Sequence, residues 1–111
     1  AFTIVSGGVN IYPQIVEDAL LGSDVVLDAA VFGIPNEDMG EEVKAVVELC
    51  PGVSGSPELE AQLKTHLAQR IARYMVPRTI DFTDKLPRSE TGKLLKKGLR
   101  DQYWQGRTLT S

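Results

Sequence analysis

The sequence is poor in several residue types, and each scarcity excludes a class of protein. Its 111 residues contain one cysteine, one histidine and one tryptophan. A single cysteine, Cys50, excludes an internal disulfide bond and is typical of a reducing compartment. Neither a second cysteine nor a histidine stands at metal-ligand or nucleophile spacing from it. We therefore interpret Cys50 as a small buried residue and expect no metal site in this chain.

Long hydrophobic runs are also missing. The longest apolar stretch, AAVFGI at residues 29–34, is far shorter than the roughly 18 residues of a membrane span. The first residues show neither the basic cluster nor the cleavage pattern of a signal peptide. With 42% hydrophobic and 24% charged residues, the composition is typical of one compact soluble domain. We therefore expect a cytoplasmic protein with no transmembrane segment.

Basic residues are scarce in the first half of the chain. Residues 1–60 contain only Lys44 against eleven acidic residues, whereas residues 78–100 contain seven basic residues against three acidic ones. An anion would therefore bind near the second segment. The net charge of −3 argues against indiscriminate nucleic-acid binding, and we expect no nucleic-acid partner.

Apolar periodicity and turn residues predict a small α+β domain with an N-terminal β-hairpin and a roughly three-stranded sheet flanked by helices. The predicted order is hairpin, helix, strand, strand, helix, strand, helix. The first half of the chain is predicted to form a hairpin over 2–12 that turns at Ser6-Gly7-Gly8, a helix from Pro13 to Gly22, and strands at 25–34 and 42–49 around a loop. The second half is predicted to form a helix from Pro57 whose apolar stripe reaches Tyr74, a strand at 79–83 and a helix from Leu94 to about Tyr103.

The segment LPRSETGKLLKKGLR, residues 86–100, contains the main candidate site. It is not a P-loop, because the required first glycine is replaced by Pro87 and the hydroxyl residue after the lysine by Leu94. Spacing alone leaves Lys93 either as an anion-binding lysine on a turn at a helix start or as an ordinary solvated lysine. The helical spacing of Lys93, Lys97 and Arg100 predicts a basic face, which is also typical of a plain solvated surface.

Other candidates have structural alternatives. Gly7 and Gly8 could let the backbone approach a ligand closely or could simply form a tight hairpin turn. His66 has no triad partner and is interpreted as structural. Five acidic residues lack the EF-hand pattern and are interpreted as solvated or capping; they are Asp28, Glu37, Asp38, Glu41 and Glu42.

Four motifs in order give a more specific indication: SGGVNIYP before a helix, DAAVFGIPNEDMGEEVKAVVEL, YMVPR and LPRSETGKLLKKGLR. Together, over residues 3–101, they closely resemble the C-terminal lid domain of the adenylate-forming superfamily, in particular acyl-CoA synthetases. The resemblance implies that residues 1–111 are a lid domain whose large N-terminal domain is absent. It implies a cytoplasmic ligase of fatty-acid or other carboxylate metabolism, with that domain and a small carboxylate as its partners.

The resemblance also implies a two-step reaction with ATP and coenzyme A. A carboxylate and ATP give an acyl-adenylate and pyrophosphate, and the CoA thiol then gives the thioester and AMP. Lys93 matches the family's catalytic lysine, and Gly7 and Gly8 match the hairpin beside which the pantetheine arm of CoA passes. Mg²⁺ would be held mainly outside this domain. A lysine expected at the family's Y-K-x-P motif is replaced by Met75.

Two functional readings remain. The first is the lid of an AMP-forming acyl-CoA ligase, inactive as an isolated domain. The alternative is a non-enzymatic module that binds an anionic partner through the basic segment 78–100, and it predicts salt-dependent binding. A modification of Lys93 by acetylation is a further hypothesis. The motifs do not name the carboxylic acid.

Overall fold

The computed structural model describes the backbone of residues 2–110 and the side chains of residues 2–105. The strands are β1 (Ile4–Ser6), β2 (Val9–Ile11), β3 (Val26–Asn36), β4 (Gly40–Leu49) and β5 (Thr79–Thr83). The helices are α1 (Pro13–Leu21), α2 (Pro57–Ala68) and α3 (Lys96–Thr110), with a short 3₁₀ turn at Arg73–Met75. The predicted α+β class and the N-terminal hairpin are confirmed.

The sheet is built around the long hairpin of β3 and β4. These antiparallel strands pair from Val26 opposite Leu49 to Asn36 opposite Gly40, with a register shift between Val26 and Asp28. The other edge of β4 receives two partners. At its start it pairs with β1, which is followed outward by β2, and further along it pairs in parallel with β5.

Helices cover both faces of the β3–β4 hairpin. One core cluster lies between the sheet and helices α1 and α2, and its strand residues include Val31, Ala45 and Val47. A second cluster lies on the opposite face, where Phe32 and Val46 pack with Leu86 and with side chains of α3. The predicted apolar face of β4 is therefore buried. Its polar face is covered as well, and Lys44 is only 6% exposed.

The buried ammonium of Lys44 has both an ion-pair partner and a hydrogen-bond acceptor. Its ammonium lies 2.8 Å from Asp81 Oδ1 and donates to Thr79 Oγ1 at 2.9 Å. The Tyr103 hydroxyl of α3 donates to the other Asp81 oxygen. Burial alone would raise the pKa of Asp81, but the hydrogen bonds from Lys44 and Tyr103 outweigh it and lower that pKa. Burial and the adjacent Asp81 raise the pKa of Tyr103. This group joins β4, β5 and α3.

Two predicted elements have different lengths in the structure. Helix α2 ends at Ala68, because Ala72 is extended and the chain must turn back to place β5 parallel to β4. Tyr74, predicted to extend the buried stripe, is 55% exposed. The predicted loop after Ile34 is mostly strand. Asn36 Oδ1 accepts from the amides of Asp38 and Met39, which closes a tight turn.

Replacing Asp81 with asparagine should destabilise the protein in a pH-dependent way. At pH 7 the decrease in the free energy of unfolding should be smaller than the roughly 3–5 kcal/mol expected when one partner of a fully buried ion pair is removed, because the Asp81 side chain is 47% exposed. Because the folded-state pKa of Asp81 lies below its ordinary value of 3.8, its contribution is present above that pH and disappears on further acidification. Denaturant unfolding at pH 7 and pH 3 measures this difference.

The matched control is Asp84→Asn, since Asp84 is exposed and its side chain makes no hydrogen bond or ion pair within residues 2–105. The difference in unfolding free energy between the wild type and Asp81→Asn should shrink from pH 7 to pH 3. A constant difference would contradict the assigned ionisation.

Candidate functional site

Lys93 ends a five-residue turn, Ser89–Lys93, and does not lie at the start of a helix. Arg88 and Leu94 form an isolated antiparallel bridge, and the Leu95 amide donates to the Pro87 carbonyl at 2.9 Å. These pairings hold the chain in a hairpin, so α3 begins only at Lys96. The predicted helix start at Leu94 is therefore wrong. Gly92, with φ of +85°, provides the left-handed residue that the turn requires.

The turn fixes the backbone of Lys93 and leaves its ammonium free. Ser89 closes the loop twice, because its amide donates to the Lys93 carbonyl at 2.8 Å and its Oγ accepts from the Lys93 amide at 3.2 Å. The Lys93 side chain is exposed, and its ammonium has no hydrogen-bond or ion-pair partner within residues 2–105. A cation on a fixed base can therefore extend outward toward an anion.

Ion pairs anchor the chain on both sides of Lys93. Upstream, the Arg88 guanidinium donates to the Gly92 carbonyl at 3.2 Å and pairs with Asp28 of β3. Downstream, the Lys96 ammonium lies 2.6 Å from Glu17 Oε2, which also accepts from the Val31 amide. Neither pair is predictable from local spacing, because the partners lie far apart along the chain.

The predicted basic face of α3 is not a single solvated surface. Lys96 is largely buried by its contact with Glu17, and the Arg100 guanidinium lies over the rings of Phe2 and Trp104. Lys97 is exposed and pairs with Asp101. Leu99 packs into the second core cluster, whereas Leu95 is 46% exposed.

Gly7 and Gly8 form the turn between β1 and β2, with φ of +57° and +80°. The Gly7 amide donates to the Met39 carbonyl at 2.8 Å, so the hairpin is tied to the turn between β3 and β4. A Cβ added at Gly7 would lie 2.5 Å from Met39 Cε, whereas one added at Gly8 would meet no atom within 4 Å. Gly8 therefore presents bare backbone to the surroundings.

The two candidate sites lie at opposite ends of the β3–β4 hairpin. The Lys93 turn is attached through Arg88 to Asp28, and the glycine turn is attached to Met39. Asn36 follows Asp28 by eight residues along β3, which corresponds to about 26 Å at roughly 3.3 Å per residue. One rigid ladder thus carries both sites without bringing them together.

The remaining candidates have structural partners. His66 Nε2 lies 2.8 Å from the Ala19 carbonyl and connects α2 to α1. Glu41 accepts from the Val5 amide, and Glu42 accepts from Asn36. Cys50, predicted to be buried, is half-buried and contacts the Asp24 carbonyl. The described residues contain no cluster of three potential metal ligands and no helix long and apolar enough to cross a membrane.

Comparison with known proteins identifies the family. Residues 15–93 match the family described as the AMP-binding enzyme C-terminal domain, and Lys93 is the last residue of the match. The chain belongs to this family.

Its relatives include ligases that form CoA thioesters. It is 40% identical over 101 residues to a long-chain-fatty-acid–CoA ligase of Mycobacterium tuberculosis, with 90% of this chain and 19% of the relative covered. It is 44% identical over 102 residues to a feruloyl-CoA synthase of an Amycolatopsis species, with 90% and 20% covered. The crystal structure of a Brucella canis acyl-CoA synthetase superposes with a TM-score of 0.90 at 39% identity, with 95% and 19% covered.

This chain therefore spans about a fifth of the length of the curated relatives that it matches.

Alanine substitutions at the glycine turn should destabilise the protein to different extents. Both positions have positive φ, which costs a residue with a Cβ about 1–2 kcal/mol. Gly7→Ala should cost more than Gly8→Ala, because the added methyl group must also displace the Met39 side chain. Denaturant unfolding of both variants measures the two losses of stability. Equal losses would contradict the contact with Met39.

Proposed function

We propose that this chain is the C-terminal lid domain of an acid–CoA ligase that activates a carboxylate with ATP. In the first step a carboxylate oxygen attacks the α-phosphorus of ATP, the bond to the bridging oxygen breaks, and pyrophosphate leaves with that electron pair. In the second step the CoA sulfur attacks the acyl carbon of the adenylate and AMP leaves. Family membership and the free ammonium of Lys93 on its fixed turn support this function.

Lys93 is the proposed catalytic residue of the first step. Negative charge on the phosphoryl and carboxylate oxygens must be stabilised as they approach, and a positioned ammonium does this without reorganisation at the moment of reaction. Three observations support the role: the Lys93 backbone is held by Ser89, its side chain is exposed, and its ammonium has no partner within the described part of the chain.

Gly7 and Gly8 are the proposed passage for the pantetheine arm of CoA in the second step. A narrow chain can pass close to backbone that carries no side chain, and Gly8 has open space where a Cβ would stand. The separation of this turn from Lys93 supports a lid that turns between the two steps, so that each step uses one end of the β3–β4 hairpin.

The partner in this proposal is a large N-terminal domain, which would hold the adenine, the acyl group and the Mg²⁺ that accompanies ATP. Relatives named for a fatty acid and for ferulate match this chain at similar identity, so the domain does not select the acid. We propose a cytoplasmic enzyme whose isolated lid is inactive.

Lys93→Ala in a complete ligase ending in this domain tests the proposal. Adenylate formation, measured as pyrophosphate release, should fall about hundred- to thousandfold, as for loss of one charge-stabilising donor. Thioester formation from supplied acyl-adenylate should persist. The control is Lys85→Ala, because Lys85 is another exposed lysine without a side-chain partner in residues 2–105. Equal loss of both steps, or loss of neither, would overturn the assignment.

The anion-binding alternative is tested with the 111-residue chain. Arg88, Lys96 and Lys97 are paired with acidic side chains, which reduces the charge that the 78–100 segment offers to a partner. We expect almost no binding to a single-stranded oligonucleotide at low or high salt. Binding that weakens steeply with added salt would favour the alternative.

A further inference from the structure

We propose that Arg88 is the positioning residue of Lys93: by bonding Gly92 and Asp28 at once, it fixes the direction in which the turn presents the ammonium. This inference rests on the proposed function of Lys93 in adenylation. Arg88 would touch neither substrate nor ATP, and would act only through the turn.

The bonding of the turn shows why an external anchor is needed. The hydrogen bonds of Ser89 to Lys93 and Gly92 close the loop on itself, so they fix its shape but not its orientation on the domain. Leu94 packs against the second core cluster just after the turn, and the Arg88 side chain adds a polar link from the turn itself to the sheet. One of its terminal nitrogens holds the Gly92 carbonyl, next to Lys93, and the other holds Asp28 on the central sheet.

The anchoring carboxylate is itself held in place. Asp28 Oδ1 accepts from the Ala29 amide at 2.8 Å, while Oδ2 pairs with Arg88. Asp28 follows the register shift in the pairing of β3 with β4, and such irregularities re-aim a side chain locally. The side chains of Arg88 and Asp28 are 32% and 25% exposed, so the pair is partly shielded from water.

An arginine suits this position better than a lysine. A guanidinium is a planar fork whose separate N–H groups can serve two acceptors in fixed directions, whereas an ammonium is a single point charge on a flexible stem. Arg88→Lys therefore preserves the positive charge but loses the bridge between Gly92 and Asp28.

Loss of Arg88 also removes a positive charge near an anionic substrate, and Asp28→Ala separates this effect from positioning. Removing Asp28 makes the surroundings more positive, so a purely electrostatic role predicts unchanged or faster adenylation. A positioning role predicts slower adenylation, because Arg88 loses its anchor. The change in adenylation rate of Asp28→Ala therefore distinguishes an electrostatic role of Arg88 from a positioning role.

The experiment uses the complete ligase and assays the two half-reactions separately. Arg88→Ala, Arg88→Lys and Asp28→Ala should each lower kcat of adenylation about ten- to hundredfold, the scale of a misplaced reacting group. The KM for ATP and thioester formation from supplied acyl-adenylate should remain unchanged. Arg70→Ala is the matched control, because within residues 2–105 the Arg70 side chain bonds only the His66 carbonyl of α2, on the other face of the sheet.

A double variant tests whether Arg88 acts through Lys93. In a Lys93→Ala background, adding Arg88→Ala should cause no further loss of adenylation, because there is no ammonium left to position. A further tenfold loss there, unchanged or faster adenylation in Asp28→Ala, or a parallel fall of both half-reactions would overturn the positioning role. If Lys93→Ala itself leaves adenylation intact, the proposed function fails instead, so the two failures are distinguishable.

Discussion

The β3–β4 hairpin is buried on both faces, and this constraint determines where the rest of the chain docks. A buried face cannot carry unpaired charge, yet the face toward α3 includes Asp28, Lys44 and Glu48. Each recruits a partner from the C-terminal part of the chain. Lys44 binds Asp81 of β5, Glu48 accepts from the Leu86 amide, and Asp28 pairs with Arg88. The polar groups of one strand pair thereby fix the path of residues 79–94.

This arrangement gives the domain the mechanical property that a moving lid needs. The two candidate sites are attached to one ladder of paired strands, so a rotation of the domain carries them together as a rigid body. The Lys93 side chain can move independently of this ladder, because its ammonium is not engaged within residues 2–105. Arg88, Lys96 and Lys97 are paired with acidic side chains of this domain, whereas the ammonium of Lys93 remains accessible on its turn.

Local sequence signals predicted the elements better than their ends. Alternation predicted β4 and β5 because side chains of a strand point to opposite faces, and the Ser56 cap with Pro57 located the start of α2. The end of α2 was not predicted, because the parallel pairing of β5 with β4 determines it. The late start of α3 was not predicted, because it depends on the bridge between Arg88 and Leu94. Motifs pointed to Lys93 and the glycine turn. Asp28 opens one of the motifs but was interpreted as solvated or capping, because no local spacing relates it to Arg88.

The position of Lys93 also resolves an electrostatic difficulty. A lysine in the first turn of a helix faces the positive end of the helix dipole, which costs some tenths of a kcal/mol. The structure places Lys93 three residues before Lys96, the first residue of α3, on a turn that the Arg88–Leu94 bridge closes. The ammonium therefore avoids the helix terminus, and its approach to an anion is governed by the turn that Ser89 closes and Arg88 holds. Such a lysine depends on the rigidity of a few non-helical residues, and the bonds from Ser89 and Arg88 supply that rigidity.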